Sequence, residues 1–131
     1  MANPDIVNVA TIQGGNAGWL MTTSLVTVLM TVAADVIVKI NSIICTNIHG
    51  TNAAALSLEI NGIGGGATGV TLAANLTTQV RIASTINVPA DDVLVVIDKP
   101  IYLMENDILR GGASAGSCLE LFASYEVIND A

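Results

Sequence analysis

The chain has 131 residues, of which 11% are charged and 52% are hydrophobic, and its net charge is −7 at pH 7. This length suits one domain that buries enough surface to fold without a disulfide or a metal. Because only four residues are cationic, neutralisation of nucleic-acid phosphates and binding to anionic membrane surfaces are excluded as functions.

Alternation of apolar and polar residues with a period of two predicts strands with one buried face. The predicted strands cover residues 6–12, 19–30, 36–47, 54–60, 79–88, 93–97, 101–103, 107–110 and 117–128. Residues 1–18 form either an extended N-terminal arm or an edge strand. The segment 19–30 is apolar on both faces, which indicates burial on both sides, with a neighbouring subunit as one candidate cover.

Turn residues separate these segments. The predicted turns cover residues 14–16, 47–52, 89–92, 98–100, 105–107 and 111–116, the second of them as a hairpin loop. The glycine-rich stretch 62–69 is a loop, or precedes a weak strand near 70–73. Turns recurring at about 8 to 12 residues are typical of a sandwich. We therefore predict a single all-β domain over residues 1–131, an antiparallel β-sandwich that resembles a jelly roll.

No membrane span or targeting segment is expected. The apolar run from Trp19 to Ala34 contains five Ser and Thr residues and is shorter than the ~20 residues that a helical span needs. No Lys or Arg precedes it, as a secretory signal would require.

The two cysteines, Cys45 and Cys118, each lie in an alternating apolar segment. They are predicted to be buried thiols, and a disulfide between neighbouring strands is the alternative. With a single histidine, they are too few for a zinc site without carboxylate ligands. No metal site is therefore predicted.

The sequence from Gly62 to Ala67 matches the dinucleotide motif G-x-G-x-x-A in form alone. The motif needs a following helix and an acidic residue about 20 positions later, and both are missing. No cofactor is therefore expected. His49 is the only histidine and has no neighbouring acid, so we expect it at the solvent or at an interface rather than in a catalytic triad. At an interface it would make assembly depend on pH.

Carboxylates gather in three predicted turns, as Asp91, Asp92, Asp98, Glu105 and Asp107. They are interpreted as turn-forming residues, because no calcium-loop motif surrounds them. Spacing alone leaves a glycosidase-like acid pair open. No catalytic residue is predicted, and the chain is not expected to be an enzyme.

Aromatic side chains are few: Trp19, Tyr102, Phe122 and Tyr125. Tyr125 falls on the core face of the last strand. Phe122 is predicted to point outward, where either another sheet edge or a partner subunit would cover it.

Several segments together resemble small virion structural proteins of tailed phages, especially phages that infect cyanobacteria. The segments are 38–52 with 54–60, then 86–90 (INVPA), 101–107 (IYLMEND) and 124–128 (SYEVI). They extend over about residues 36–128 and are structural rather than catalytic motifs. The resemblance implies a β-sandwich subunit of a virion that is assembled in the host cytoplasm. The glycine-rich insert at 62–69 departs from the pattern.

The resemblance and the low charge favour a capsid decoration (cement) protein. Uncharged polar surface costs less to desolvate than ions do, which suits contacts between proteins. The expected partners are further copies of the chain, as a dimer or a trimer, and the major capsid protein or other virion proteins. A tail, collar or fibre subunit is the structural alternative. A carbohydrate-binding module for host adhesion is the alternative from another class, and it predicts exposed aromatic residues near Trp19 or Tyr102.

Overall fold

The computed structural model of the protein describes residues 10–62 and 79–129, and this part of the chain contains nine strands and no helix. The strands are β1 (Thr11–Leu20), β2 (Val28–Thr31), β3 (Val36–Asn47), β4 (Ala54–Asn61), β5 (Gln79–Val88), β6 (Val93–Ile97), β7 (Ile101–Leu103), β8 (Ile108–Ala113) and β9 (Leu119–Asn129). The predicted all-β class is confirmed.

The strands form two antiparallel sheets packed against each other. The β1 sheet has the order β1-β9-β3-β6, with β7 also pairing with β3, and the β2 sheet has the order β2-β8-β4-β5. Strands that follow one another in the sequence thus often lie in opposite sheets, which is the arrangement of a jelly roll. The prediction of an antiparallel β-sandwich is confirmed.

The core lies between the sheets and consists of aliphatic side chains from both. Ile40, Ile43 and Leu121 of the β1 sheet are buried, as are Leu56 and Leu109 of the β2 sheet. Each such side chain stabilises the fold by about 1.5–3 kcal/mol on burial. The alternation seen in the sequence is the cause, because every second residue of a strand faces the opposite sheet.

Strand β3 changes its buried face part of the way along. Val38 and Ile40 face the core in its first half, whereas Ile43 and Cys45 do so in the second. The pairing with β9 shifts register between Ile40 and Ser42, so the strand carries one extra residue there. This bulge allows apolar residues of both parities to reach one core.

Two predictions for the first 30 residues are wrong. The turn predicted at 14–16 lies inside β1, which runs in unbroken register along β9 from Thr11 to Leu20. The strand predicted at 19–30 is divided between the end of β1, a turn and the short β2. The turn forms because Thr27 bonds to the Ser24 carbonyl through both its backbone amide and its hydroxyl, which competes with a straight strand.

The loop at 47–52 is not a hairpin, because β3 and β4 belong to different sheets. Asn47 holds this crossing in place. Its buried side-chain amide donates to the carbonyls of Asn52 at 3.0 Å and Val88 at 2.9 Å. The prediction failed because a sequence pattern marks a chain reversal but not the sheet in which the next strand lies.

Other turns are confirmed, including 89–92, where the Asp92 amide donates to the Pro89 carbonyl, and 105–107, which joins β7 to β8. The loop predicted at 111–116 is shorter, because β8 extends to Ala113. On β5, Val80 and Ile86 alternate with polar residues, a pattern that predicts burial, but both are exposed. Both lie opposite core-facing residues of β4, Ile60 and Leu56, and they are exposed because β5 is the outer strand of its sheet. The predictions for residues 63–69 and 70–73 lie outside the described residues.

Candidate interaction surface

The outward face of the β1 sheet carries an apolar row that starts at Phe122. On β9, Leu121 and Ala123 face the core, so Phe122 between them faces out and is 45% exposed. Ile44 of β3 lies beside Phe122, and Val95 of β6 lies beside Ile44. These three side chains therefore follow one another across the sheet.

The neighbouring row adds two more exposed apolar residues. Leu20, Glu120, Thr46 and Val93 lie side by side in it, and Leu20 and Val93 are both about half exposed. We call the set Leu20, Ile44, Val93, Val95 and Phe122 the outer patch. Within these two rows Glu120 is the one charged residue. A contiguous apolar area of this kind on a soluble domain typically marks an interaction site.

Gly18 makes the patch concave. It lies opposite Phe122 in the β1–β9 ladder, and its missing side chain leaves an open depression beside the ring. The depression has a volume of about 510 Å³ and is lined by Gly18, Trp19, Leu20, Thr46, Glu120, Leu121 and Phe122. On the outward face it combines the Phe122 ring with the Glu120 carboxylate and the Thr46 hydroxyl group.

The two aromatic residues of β9 lie on the faces of the strand that the sequence predicted. Tyr125 packs against the core, and Phe122 points outward. No other strand of the described chain covers Phe122. Trp19 is half-buried against the core, whereas Tyr102 on β7 is exposed.

His49 is engaged within its own loop. Its Nδ1 atom accepts the backbone amide of Asn52 at 3.0 Å and that of Thr51 at 3.2 Å. The residue is half-buried. This geometry gives the ring a role in shaping the β3–β4 crossing.

The turn carboxylates are used locally. Asp92 accepts the Val93 amide at 2.8 Å, and Glu105 accepts the amide of Asp35 at 3.0 Å. Asp107 is buried, and its Oδ2 atom accepts the Met104 amide at 3.0 Å. Burial raises the pKa of Asp107, although the Met104 hydrogen bond opposes the shift. In the described residues no three His, Cys, Asp or Glu side chains converge to hold a metal ion.

One polar cluster could not be predicted from the sequence. Glu59 of β4 is buried on the outward face of the β2 sheet, where it forms an ion pair with Arg110 of β8 and accepts a hydrogen bond from Gln79 of β5. The alternation did place Glu59 away from the core. Its partners come from strands 20 and 51 positions away, so only the strand pairing identifies them.

Both cysteines are buried and unbonded, so the disulfide alternative is wrong. Desolvation raises the pKa of Cys45 to about 11. A thiol with this pKa is almost entirely protonated at neutral pH and is therefore a poor nucleophile.

Comparison with known proteins does not assign the chain to a family. No protein-family model matches it, and no curated protein matches it. Among the described residues, no helix is long and apolar enough to cross a membrane.

Proposed function

We propose that the chain is a structural subunit of a tailed-phage virion, and specifically a decoration protein that stabilises the capsid through contacts between protein surfaces. The observation that carries this proposal is the outer patch. Five apolar side chains lie on one sheet face, and Phe122 and Val95 are 45% and 57% exposed to solvent. Such a face gains free energy when another protein covers it.

The charge distribution supports contact with protein. Interface cores are depleted in Lys, Glu and Asp, and the two rows that contain the outer patch hold one charged residue, Glu120. Repetition by symmetry would multiply weak contacts of this kind into a stable shell. The resemblance of residues 36–128 to virion proteins also favours a structural subunit.

The fold adds support by analogy. Jelly rolls occur in viral capsid proteins and in lectins. Because one fold serves many functions, this analogy favours the virion and the carbohydrate hypotheses alike. Only the residues on the surface can distinguish the virion hypothesis from the carbohydrate hypothesis.

The proposal is tested on particles purified from the phage that encodes the chain. Mass spectrometry should detect the protein in the particles, and particles stripped of it should release their DNA at a lower temperature. Adding back the purified protein should restore the original release temperature. An unchanged release temperature after complete stripping would rule out the cement function.

Variants connect this assay with the outer patch. Phe122→Ser should bind stripped particles less tightly while its own melting temperature changes little, because the ring contacts solvent rather than the core. Val80→Ser is the matched control, since Val80 is also exposed but belongs to β5 of the other sheet. Equal binding by both variants would remove the outer patch from the proposal.

A tail, collar or fibre subunit uses the same kind of surface. Immunogold labelling of intact particles separates the two locations. Label distributed over the capsid supports decoration, and label confined to the tail supports the alternative.

A carbohydrate-binding module is the second candidate, and the depression beside Phe122 is the observation that favours it. An aromatic ring next to a carboxylate and a hydroxyl group can stack on a sugar and bond to its hydroxyls. This candidate predicts binding on a glycan array that Phe122→Ala abolishes and Val80→Ala leaves intact.

A further inference from the structure

The described part of the sandwich has four sheet edges, formed by β1, by β2, by β5 and by β6 together with β7, and three of these edges carry features that prevent further strand pairing. β2 is only four residues long. β5 has two register shifts, and Thr85 within it has a φ of 47°. β6 and β7 are short and are separated by the turn that contains Lys99 and Pro100. Short strands, irregular backbone, lysine and proline are the usual means of protecting an edge.

β1 has none of these features. It is ten residues long, pairs with β9 without a bulge, and contains neither a charged residue nor a proline. In the part of the chain that the structure describes, no strand pairs with its other side. An uncharged, regular edge of this length is a template for an additional strand.

The hydrogen-bond phase shows which residues of β1 face this open edge. The Met21 amide donates to the Leu119 carbonyl across the β1–β9 pair. The Ile48 amide donates to the Cys118 carbonyl across β3–β9. In an antiparallel ladder the bonded residues alternate, so the odd-numbered residues of β1 bond to β9. The backbone groups of its even-numbered residues therefore point to the open edge.

These even-numbered residues form a palindrome in side-chain type. They are Ile12, Gly14, Asn16, Gly18 and Leu20. All five side-chain positions also lie on the outward face of the sheet, because they alternate in step with Gly18, which pairs with the outward Phe122. Reading the strand backwards gives the same order of apolar residue, glycine, asparagine, glycine and apolar residue.

We propose that β1 pairs antiparallel with β1 of a second copy of the chain, about a twofold axis that passes through Asn16. Ile12 then lies opposite Leu20 of the second copy, Gly14 opposite Gly18, and Asn16 opposite itself. The phase of the backbone bonds is correct for this register. Ile12 and Leu20 are 57% and 53% exposed in the single chain. In the dimer each covers the other across the interface, and the twofold axis repeats this contact on both sides of Asn16. No like charges meet, because the strand has no charge.

The pairing joins the two β1 sheets into one continuous sheet and brings the two outer patches onto the same side. A twofold interface of this type is closed and uses the same residues on both copies. The inference deepens the proposed function, because it names the contact between copies, and to that extent it depends on it. Its tests need only the purified protein.

Crosslinking tests the register. Residues that form a bonded antiparallel pair have Cα atoms about 5.5 Å apart, which is within the range of a disulfide. Asn16→Cys should therefore form a covalent dimer under mild oxidation. Gly14→Cys is the matched control on the same edge and face, where an added Cβ meets no atom within 4 Å. It should remain monomeric on a non-reducing gel, while Gly14→Cys combined with Gly18→Cys should crosslink.

Charge substitutions test the same register in solution. Ile12→Lys and Leu20→Glu should each weaken dimerisation about tenfold or more, as measured by light scattering over a dilution series. The double variant should recover most of the affinity, because opposite charges then face each other across the axis. Thermal unfolding of each variant shows whether the subunit itself is intact.

The outcomes separate this inference from the proposed function. An oligomer that none of these variants weakens, or equal crosslinking of Asn16→Cys and Gly14→Cys, overturns the β1 pairing and leaves the virion function untouched. A β1-paired dimer that is absent from phage particles supports the pairing and overturns the virion function. A wild-type chain that stays monomeric at high concentration overturns the pairing.

Discussion

Gly15 lies directly opposite Tyr125 in the β1–β9 ladder, and the tyrosine ring occupies the space that a side chain at position 15 would need. A Cβ atom added to Gly15 would lie 2.7 Å from Cζ of Tyr125. Glycine lets the aromatic ring of the neighbouring strand cover the backbone. This contact explains how a strand with three glycines remains ordered at the edge of the sheet.

Gly15→Ala is expected to lower the free energy of unfolding by about 1–3 kcal/mol, because the ring has to move within a packed environment. Urea denaturation measures the change. Gly14→Ala is the control next to it, with open space around the added carbon, and should be neutral or slightly stabilising. Equal losses for the two variants would contradict the proposed packing.

Gly112→Ala is expected to be destabilising by about 2–3 kcal/mol for a different reason. The added Cβ would lie 2.5 Å from the Ser24 carbonyl oxygen, and a backbone atom cannot turn away as a side chain can. Hydrogen exchange should accelerate at the amides of Gly111 and Ala113, which donate to the carbonyls of Thr27 and Thr22.

Gly116→Ala is the control for this prediction. Its added carbon would meet only a Thr23 methyl group, at 3.9 Å, which is an ordinary contact. Unchanged exchange at Gly111 and Ala113 in Gly112→Ala would show that the turn at 22–27 does not depend on this glycine.

Arg110→Met is expected to cost about 2–4 kcal/mol at pH 7, because it leaves the buried Glu59 carboxylate without its ion-pair partner. Combining it with Glu59→Gln should recover part of the loss. Arg81→Met is the control, since the exposed Arg81 lies opposite Glu59 on β5 and should contribute less than about 1 kcal/mol. Chemical denaturation of the wild type, Arg110→Met, Glu59→Gln and the double variant gives the coupling energy between Glu59 and Arg110.

Asp107 should make the protein less stable as the pH rises. Burial raises the pKa of Asp107 in the folded chain above its ordinary value of 3.8. The unfolded chain therefore gives up the proton more easily, and ionisation favours unfolding. Its contribution to stability is complete below pH 3.8 and decreases as the pH passes through the raised pKa of the folded state.

Asp107→Asn should remove this pH dependence, because its amide oxygen can still accept the Met104 hydrogen bond while no charge is buried. Melting temperatures measured from pH 3 to pH 8 give the comparison. Asp98→Asn, in an exposed turn, should retain the wild-type slope. A wild-type slope in Asp107→Asn would show that another group causes it.

The two native thiols should resist alkylation while the chain is folded. Both are buried, and the pKa of Cys45 is raised to about 11, so neither access nor ionisation favours reaction at pH 8. Labelling by iodoacetamide, followed by mass spectrometry, should proceed at the rate of unfolding. An added cysteine in Ser84→Cys, at an exposed position, should react quickly under the same conditions.

The sequence predicted strands best where alternation is strict. Strands β3 to β7 and β9 follow the predicted segments closely, because burial of one face imposes a period of two on the residues themselves. Tyr125 and Phe122 were assigned to opposite faces correctly for the same reason. The strand β1 was misplaced, since its glycines read as a turn and become compatible with a strand only when Tyr125 covers Gly15.

The candidate surface was partly predictable. Low charge and an outward Phe122 were visible in the sequence, whereas the lateral order of Phe122, Ile44 and Val95 depends on the pairing of β9, β3 and β6. The partners of Glu59 depend in the same way on β5 and β8. Long-range pairing leaves no local signal, because residues far apart in the chain meet only after folding.

The sequence by itself determined the all-β class, most strand positions and the faces of their side chains, because these follow from local alternation and from turn residues. Tertiary structure alone decided which strands are neighbours, that β3 and β4 belong to different sheets, and that β1 is the one long unprotected edge among the described strands. These features depend on the arrangement of whole strands around a shared core, and no short stretch of residues encodes that arrangement.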